Sequence, residues 1–158
     1  DIKHQIDAVR IVHDKLYKSV DVTHVELRDY LQDLLATVFS SFSAMTVEIV
    51  NRVENIKVPT KRAVPIGLIT NEIATNAIKY GFTGDEDARF TVELSLNQDE
   101  GQSVLVLSNT GNPFPEDIDL DSQETLGLRL ISALVNQLDG TIELQRKPNP
   151  RFTIRFPA

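Results

Sequence analysis

IGLITNEIATNAIKYGF, residues 66–82, is the stretch of this 158-residue chain that carries most information about its fold. It lies in a longer segment, Thr60 to Lys79, that predicts a single helix. On a helix Glu72 and Asn76 are four residues apart and share a face, and Lys79 follows a turn later. A carboxylate and a carboxamide one turn apart can coordinate Mg²⁺ or order water, and a lysine beyond them can contact phosphate. Spacing alone, however, favours an ordinary solvated helix face.

The residues on both sides of this helix contain short runs in which apolar and polar side chains alternate, which is the period of strands. Strands are predicted at residues 46–50, 56–58, 89–96, 103–109, 141–146 and 151–156. The first two flank a turn at Glu54-Asn55, and a polar turn joins each of the two later pairs. A further helix, Leu126 to Leu138, ends at Asp139-Gly140, which is a helix-end and turn signal.

Two more helices are predicted before the first strand. In one, from about Ile2 to Lys18, residues at alternating spacings of four and three predict a coiled-coil seam or an ordinary amphipathic helix. That seam consists of Ile2, Ile6, Val9, His13, Leu16 and Val20. The other helix runs from Val25 to Phe42 with a broad apolar face, and residues 21–23 are its candidate N-caps.

Together these elements predict an α+β chain with two parts. A helical segment over residues 1–43 precedes a two-layer α/β sandwich over residues 44–158. The sheet of the sandwich is expected to be mixed, mostly antiparallel, and covered by helices on one face. The length of the chain suits one domain with a proper core, or one domain with a helical appendage.

The composition of the chain excludes several classes of function. A net charge of −7 argues against a nucleic-acid partner, which would require a basic patch. The chain has no cysteine, so disulfides and thiolate metal sites are excluded, and its three histidines lack the paired spacing of a zinc site. No apolar run approaches the length of a bilayer span, and no signal peptide opens the chain. We therefore expect a cytoplasmic domain, whose parent protein could still be anchored in a membrane.

Three segments resemble, in order and spacing, the catalytic domains of histidine kinases, which belong to the GHKL ATPase superfamily. These segments are IGLITNEIATNAIKYGF at 66–82, LGLRLISALVNQLDGTIEL at 126–144 and RFTIRFP at 151–157. Within the first, NEIATNAIKYGF resembles the N box of that superfamily. The N-terminal segments AVRIVHDKLYKS and VELRDYLQDLL resemble the second dimerisation helix and the linker helix of the bacterial short-H-box subclass.

The resemblance implies that the chain binds ATP and Mg²⁺, and it suggests a role for five residues. Asn76 matches the Mg²⁺ ligand, and Glu72 matches the acidic residue that acts as, or orients, a base or a metal-bound water. Lys79 matches a position that faces phosphate. Gly127 and Leu128 resemble the second glycine box, where the chain passes close to the phosphates and opens a helix whose N-terminus favours anions.

The first glycine box departs from the family pattern of Asp-x-Gly-x-Gly. Asn109 stands in place of the aspartate that accepts a hydrogen bond from adenine, Gly111 is retained, and Pro113 replaces the second glycine. A neutral carbonyl accepts a weaker bond than a carboxylate, so we expect a loss of about 1–3 kcal/mol in nucleotide binding. Near the C-terminus, Asn149-Pro150 replaces a Gly-Thr pair of the family. These changes indicate a nucleotide site that is weakened or retuned at its base end, which is the end that recognises adenine.

The loop from Asn112 to Thr125 occupies the position of the ATP lid. It contains five acidic residues and no lysine or arginine, so it would repel phosphate, and a mobile solvated loop is the favoured interpretation. If it acts as a lid, it closes through the apolar residues Phe114, Ile118 and Leu120. None of the histidines, at positions 4, 13 and 24, has the H-box pattern of a phosphoacceptor.

Three hypotheses follow. In the first, the chain is the ATP-binding catalytic domain of a two-component sensor histidine kinase. It would transfer the γ-phosphate of ATP to a histidine on a helix absent from this chain, and a response regulator would act downstream. The N-terminal helix would allow a homodimer. In the second, the chain is a degenerate, non-catalytic member of the superfamily that serves dimerisation or partner binding. The third, an anti-sigma-factor serine kinase, is disfavoured by the N-terminal helices.

Overall fold

The computed structural model describes residues 2–17, 23–41, 46–82, 87–120 and 126–158. In chain order the elements are α1 Ile2–Tyr17, β1 His24–Glu26, α2 Leu27–Ser40, β2 Glu48–Val53, β3 Lys57–Pro59, α3 Thr60–Asn76, a π-helical turn Ala77–Gly81, β4 Arg89–Asn97, β5 Gln102–Asn109, α4 Leu126–Gln137, β6 Thr141–Gln145 and β7 Arg151–Pro157. The predicted fold class is confirmed: helices pack against a five-stranded mixed sheet. Among the described helices, none is both long enough and apolar enough to cross a bilayer.

The sheet has the strand order β2-β4-β5-β7-β6. Strands β2 and β4 are parallel, and the other three pairs are antiparallel. Because side chains alternate between the two faces of a strand, every second residue points toward the helices. The registers Val92↔Leu107 and Leu107↔Phe152 place these buried side chains in one row across β4, β5 and β7. The core therefore lies between this face of the sheet and the helices.

The predicted strand at residues 56–58 does not join the sheet. It corresponds to β3, which pairs with β1 in an antiparallel ladder where Val25 faces Val58. Backbone bonds extend this ladder at both ends, since Leu27 N donates to Ile56 O at 3.1 Å and Thr60 N donates to Thr23 O at 3.1 Å. The N-terminal part of the chain is thereby tied to the first residue of α3.

Helix α2 is part of the core rather than an appendage. Its buried face comprises Leu27, Tyr30, Leu31, Leu34, Leu35, Val38 and Phe39. The N-cap is Glu26, whose carboxylate accepts from Arg28 N and Asp29 N, instead of a residue at 21–23. Thr23 precedes β1, and residues 21 and 22 lie outside the described part of the chain. Buried residues on both sides of position 43 form one cluster, and the division at that position stays a prediction.

Helix α3 is the central element of the helical layer. Every residue from Ile66 to Thr75 is buried, and α1, α2 and α4 all pack against it. Pro65 lies in its second turn and has no N–H to donate to the carbonyl group of Lys61, so the helix lacks that hydrogen bond. The α-helix ends at Asn76 and widens into the π-helical turn, in which Phe82 N donates to Ala77 O at 2.9 Å. Single π-helical turns are frequent at functional sites.

Helix α1 forms where a helix is predicted, but the residues that it buries differ from most of the predicted seam. Its buried apolar side chains are Ala8, Val12 and Leu16, which pack over α2 and α3. Two residues of the predicted seam remain outside this contact, since Ile6 is 63% exposed and Val9 is 54% exposed. Most of the described seam therefore faces outward.

The C-terminus of α4 has the two hydrogen bonds of a Schellman motif. Gly140 N donates to Val135 O at 3.0 Å, and Asp139 N donates to Asn136 O at 2.9 Å. The residue in the left-handed conformation is Asp139, with φ of 56°, although the sequence suggests the neighbouring glycine. Gly140 is needed for another reason, because a Cβ there would lie 2.5 Å from Arg155 O.

Asp139→Gly is expected to raise the free energy of unfolding by about 0.5–1 kcal/mol. Glycine adopts a positive φ without strain and removes a negative charge from a helix C-terminus. Urea denaturation at equal m-value measures the change. As a contrast, Gly140→Ala should destabilise the fold, because its Cβ would meet a backbone oxygen. A less stable Asp139→Gly protein would contradict this account.

Tyr30→Phe is expected to leave the free energy of unfolding unchanged or raise it by about 1 kcal/mol. The Tyr30 hydroxyl is buried over Gly67 and makes no hydrogen bond within the described part of the chain, so its removal relieves a desolvation cost. Burial also raises the pKa of Tyr30, so stability should fall as pH rises above about 10, where the unfolded tyrosine ionises. Alkaline denaturation curves should show a smaller loss for the variant. An equal loss in both proteins would contradict the assignment.

Candidate functional site

A narrow cleft lies between the C-terminal end of α3 and the segment that follows β5. Its lining residues are Ile73, Asn76, Ala77, Tyr80, Gly81, Asn109, Asn112, Pro113, Phe114, Pro150 and Phe152. Two of the predicted site residues, Asn76 and Asn109, thus meet in one cleft although 33 positions separate them. The cavity volume is about 10 Å³, which is room for a single water molecule at most.

The end of α3 supplies the polar side chain at one wall of this cleft. Asn76 is half-buried at the junction between the α-helix and the π-helical turn. Lys79 follows in that turn with an exposed side chain, and it is not among the residues that line the cleft. Tyr80 does line the cleft and is 40% exposed. Tyr80 is not among the residues predicted from the sequence. Its signal there is an aromatic residue four positions after Asn76, a spacing that returns to the same helix face.

Glu72 lies outside the cleft, against the start of α4. The side chain is 2% exposed, and a Cβ on Gly127 would lie 2.8 Å from Glu72 Oε2. Gly127 is therefore required for the close approach of this carboxylate, and the N-terminus of α4 is a favourable place for a negative charge. The neighbouring Leu128 is 2% exposed, and its side chain packs in the core.

The orientation of the Asn109 side chain is defined by two neighbours. Its Nδ2 donates to Thr110 O at 2.8 Å. A Cβ on Gly81 would lie 2.5 Å from the same nitrogen, so the amide packs directly on the glycine backbone. Because the nitrogen is used within the protein, the side-chain oxygen is the atom that can accept a bond from a ligand.

The segment after Asn109 is held to the protein on two sides. On one side Asn112 N donates to Gly81 O at 2.8 Å, and its side-chain nitrogen lies 3.4 Å from Tyr80 O. On the other side Asn149 Nδ2 donates to Gly111 O at 2.8 Å, where Gly111 has a φ of 97°. Asn149, one of the residues that departs from the family pattern, therefore fixes the glycine loop.

The first part of the predicted lid is anchored rather than solvated. Phe114 is 4% exposed, its ring stands at 87° to that of Phe152 with centroids 5.7 Å apart, and Arg146 lies 5.5 Å from its centroid. Phe114 N donates to Arg146 O, and Arg146 Nη1 donates to Pro115 O at 2.6 Å. The expectation of a mobile loop is therefore wrong for this part of the segment, while residues 121–125 lie outside the described chain.

An exposed ion pair adds to this anchoring. Lys147 Nζ lies 2.6 Å from Glu116 Oε1. The hydrogen bond and charge of Lys147 lower the pKa of the Glu116 carboxyl. Further along the segment, Ile118 and Leu120 are half-buried against the core instead of free to close over a ligand.

Comparison with protein families gives two matches that cover most of the chain. Residues 62–158 match the family described as "Histidine kinase-, DNA gyrase B-, and HSP90-like ATPase", and residues 1–42 match a family described as "Histidine kinase". The first match alone covers more than half of the chain.

Curated relatives are sensor histidine kinases. Blue-light-activated histidine kinase 2 of Erythrobacter litoralis is 23% identical over 154 residues, which cover 92% of this chain and 43% of that protein. Sensor histidine kinase PdtaS of Mycobacterium tuberculosis is 25% identical over 158 residues, which cover 98% of this chain and 31% of that protein. The chain spans less than half the length of these two relatives.

Solved structures of histidine kinases share the fold. The histidine kinase domain from the Erythrobacter litoralis EL346 blue-light activated histidine kinase superposes with a TM-score of 0.81 at 21% identity, over 98% of this chain and 73% of that one. The catalytic domain of histidine kinase ThkA gives a TM-score of 0.67 at 15% identity, over 85% of this chain and 94% of that one. At these identities the likeness shows the fold alone. Since the family match covers the central helix, the cleft and the sheet beyond β2, the chain belongs to the histidine kinase-, DNA gyrase B- and HSP90-like ATPases, and its N-terminal segment matches a histidine kinase family.

Proposed function

We propose that the protein containing this chain transfers the γ-phosphate of ATP to a histidine on a segment absent from this chain. The observation that carries the proposal is the cleft in which Asn76, from α3, meets Asn109, from the end of β5. Phosphoryl transfer needs little covalent participation by the protein. The contribution of the domain is to position the nucleotide in line with its acceptor and to offset the charge of the phosphates.

Asn76 is the proposed Mg²⁺ ligand at the phosphate end of the cleft. Its amide oxygen is a hard donor of the kind that Mg²⁺ accepts, and the half-buried side chain lines the cleft. When bound with ATP, Mg²⁺ would neutralise charge on the phosphate oxygens. The exposed Lys79, one turn further along, would contact phosphate as a point charge.

Glu72 is proposed to act at the phosphate end of the cleft by holding other groups in position. Its carboxylate lies against Gly127 at the start of α4, one helical turn before Asn76. From that position it would fix the first turn of α4, whose N–H groups favour phosphate. It would also hold, through a hydrogen bond, a water molecule near the metal ligand.

At the base end of the cleft, Asn109 and Tyr80 are proposed to recognise adenine. The Asn109 oxygen would accept a hydrogen bond from the amino group of adenine, while guanine would present an oxygen in that place. The half-exposed ring of Tyr80 would stack on the base. The cleft has to widen before a base can enter, because its volume is only about 10 Å³.

Two partners follow from the same proposal. A homodimer would form through α1, since Ile6 and Val9 of the seam are exposed and lie on the same side as His13. A response regulator would receive the phosphoryl group downstream. The narrow cleft and the neutral Asn109 favour one alternative, a non-catalytic module that keeps the fold for dimerisation or partner binding.

Asn76→Ala is expected to weaken Mg·ATP binding at least tenfold, because it removes the proposed metal ligand. Calorimetric titration of the purified chain with Mg·ATP and with ADP measures the loss. Asn136→Ala, on the exposed side of α4, is the matched control and should bind like the parent. If the folded parent shows no binding up to millimolar nucleotide, the result would contradict the catalytic proposal and favour the alternative, a non-catalytic module.

Asn109→Asp is expected to lower the free energy of unfolding by about 1–3 kcal/mol without nucleotide. The change removes the donor that bonds Thr110 O and places a buried carboxylate oxygen against that carbonyl. ATP should stabilise the variant more than the parent, because a charged acceptor makes the stronger bond to the adenine amino group.

Thermal unfolding with and without ATP measures both effects of Asn109→Asp. Asn97→Asp makes the same charge change at the exposed last residue of β4 and should alter neither quantity appreciably. An Asn109→Asp protein as stable as the parent would show that the bond to Thr110 O contributes little.

A further inference from the structure

Gly81 lies at a position where the backbone does not require a glycine. It ends the π-helical turn Ala77–Gly81, and in the described part of the chain the only glycines with a positive φ are Gly101 and Gly111. With a negative φ inside a helical turn, glycine is less favourable than alanine, because it loses more conformational freedom on folding. The conformation of the chain therefore does not explain the glycine at position 81.

The side chain of Asn109, which packs against Gly81, does explain it. A Cβ at position 81 would lie 2.5 Å from Asn109 Nδ2, closer than the Cβ of any residue approaches such an atom, and 3.5 Å from Asn109 Cγ. It would lie 3.6 Å from the backbone oxygen of Thr110, which is an ordinary contact distance. The space beside Gly81 is thus occupied by the nitrogen end of one amide group, and an alanine would conflict with that group alone.

The contact with Gly81 fixes the orientation of the Asn109 amide. Its Nδ2 lies between Gly81 and the backbone oxygen of Thr110, to which it donates a hydrogen bond at 2.8 Å. If the amide were turned over, its oxygen would face that carbonyl oxygen, and two acceptors cannot form a hydrogen bond. The side-chain oxygen lies farther from Gly81 than Nδ2 and Cγ do, so the acceptor end of the amide points away from Gly81.

The other contact of Gly81 is made by its backbone. Its carbonyl oxygen accepts a hydrogen bond from Asn112 N at 2.8 Å, and this bond joins the two walls of the cleft. An alanine at position 81 keeps the same carbonyl group and is compatible with the negative φ. The substitution therefore acts on the Asn109 amide and preserves the backbone contact between the walls.

We propose that Gly81 is a positioning residue for base selection: it leaves room for the Asn109 nitrogen and thereby keeps the Asn109 oxygen directed at the bound base. The inference rests on the proposed function, in which that oxygen accepts a hydrogen bond from the amino group of adenine. A base with a carbonyl oxygen in the same place presents one acceptor to another and binds less tightly. Gly81 thus acts through Asn109 on which base is bound.

The test is calorimetric titration of the parent and of Gly81→Ala with the magnesium complexes of ATP and of inosine triphosphate. Inosine triphosphate differs from ATP only at one edge of the base, where a carbonyl oxygen replaces the amino group and the adjacent ring nitrogen carries a hydrogen. The parent should bind ATP about tenfold more tightly than inosine triphosphate. Gly81→Ala displaces the amide and should reduce this preference to about twofold or less, mainly through weaker binding of ATP.

Two comparisons separate positioning of the amide from general damage to the cleft. General damage weakens the binding of both nucleotides alike and leaves the preference unchanged. In the Asn109→Ala background, Gly81→Ala should not change the preference further, because the amide on which it acts is absent. Gly101→Ala is the matched control and should keep the parent preference, since position 101 precedes β5 at the end opposite to Asn109 and its Cβ would meet no atom within 4 Å.

The proposal is overturned if Gly81→Ala keeps the parent preference for ATP, or if it changes the preference equally in the Asn109→Ala background. If Gly81→Ala alone does not fold, the double variant Gly81→Ala/Asn109→Ala decides. A folded double variant supports the proposal, because removal of the amide then makes room for the Cβ, whereas an unfolded one overturns it. A folded parent that binds neither nucleotide contradicts the proposed function and base selection with it. A parent that binds ATP, with an unchanged preference in Gly81→Ala, contradicts the role of Gly81 alone.

Discussion

The burial of α3 is the constraint on which the rest of the structure depends. Ten consecutive residues, Ile66 to Thr75, are buried among three other helices and the sheet, and several of them are polar. Two of these polar side chains have a partner within their own helix, whereas the Asn71 side-chain nitrogen has no hydrogen bond to any described residue. Thr70 and Thr75 donate to carbonyl groups of their own helix, and Glu72 lies at the N-terminus of α4. Helix α3 can therefore carry polar side chains although it is buried, because its own carbonyl groups and the start of α4 accommodate them.

The cleft forms where this burial ends. Asn76 is the first half-buried residue after the buried run, and the π-helical turn directs Tyr80 and Gly81 toward the end of β5. Backbone and side-chain bonds of Asn112 join the two sides, and Asn149 holds the loop from the opposite direction. The walls are thus fixed by amide groups that bond to backbone carbonyls. This arrangement holds the walls of the cleft close together, so the cleft would have to widen before a nucleotide base could enter.

Local sequence patterns predicted the strands of the sheet, α3 and α4, because periodicity and family motifs report on individual segments. The roles of Asn76 and Asn109 rest on the family resemblance and stay predictions, and it is the structure that places both residues in one cleft. They did not predict the ladder between β1 and β3, since strand pairing depends on contacts remote in sequence. The Asn109 amide, read from the sequence as a weakened aspartate, proved to have a donor role of its own toward Thr110. Phe114 was expected to belong to a mobile lid, but it is a core residue. The apolar character of a residue in the sequence does not show which surface its side chain covers.

The close approach between Glu72 and Gly127 also restricts how this sequence can diverge. With a carboxylate oxygen 2.8 Å from the place of a Cβ, position 127 accepts a side chain only if the Glu72 carboxylate shifts from its place. A shorter acid at position 72 would remove this conflict. The residues at 72 and 127 are therefore coupled, and a substitution at one of them changes what the other can accommodate.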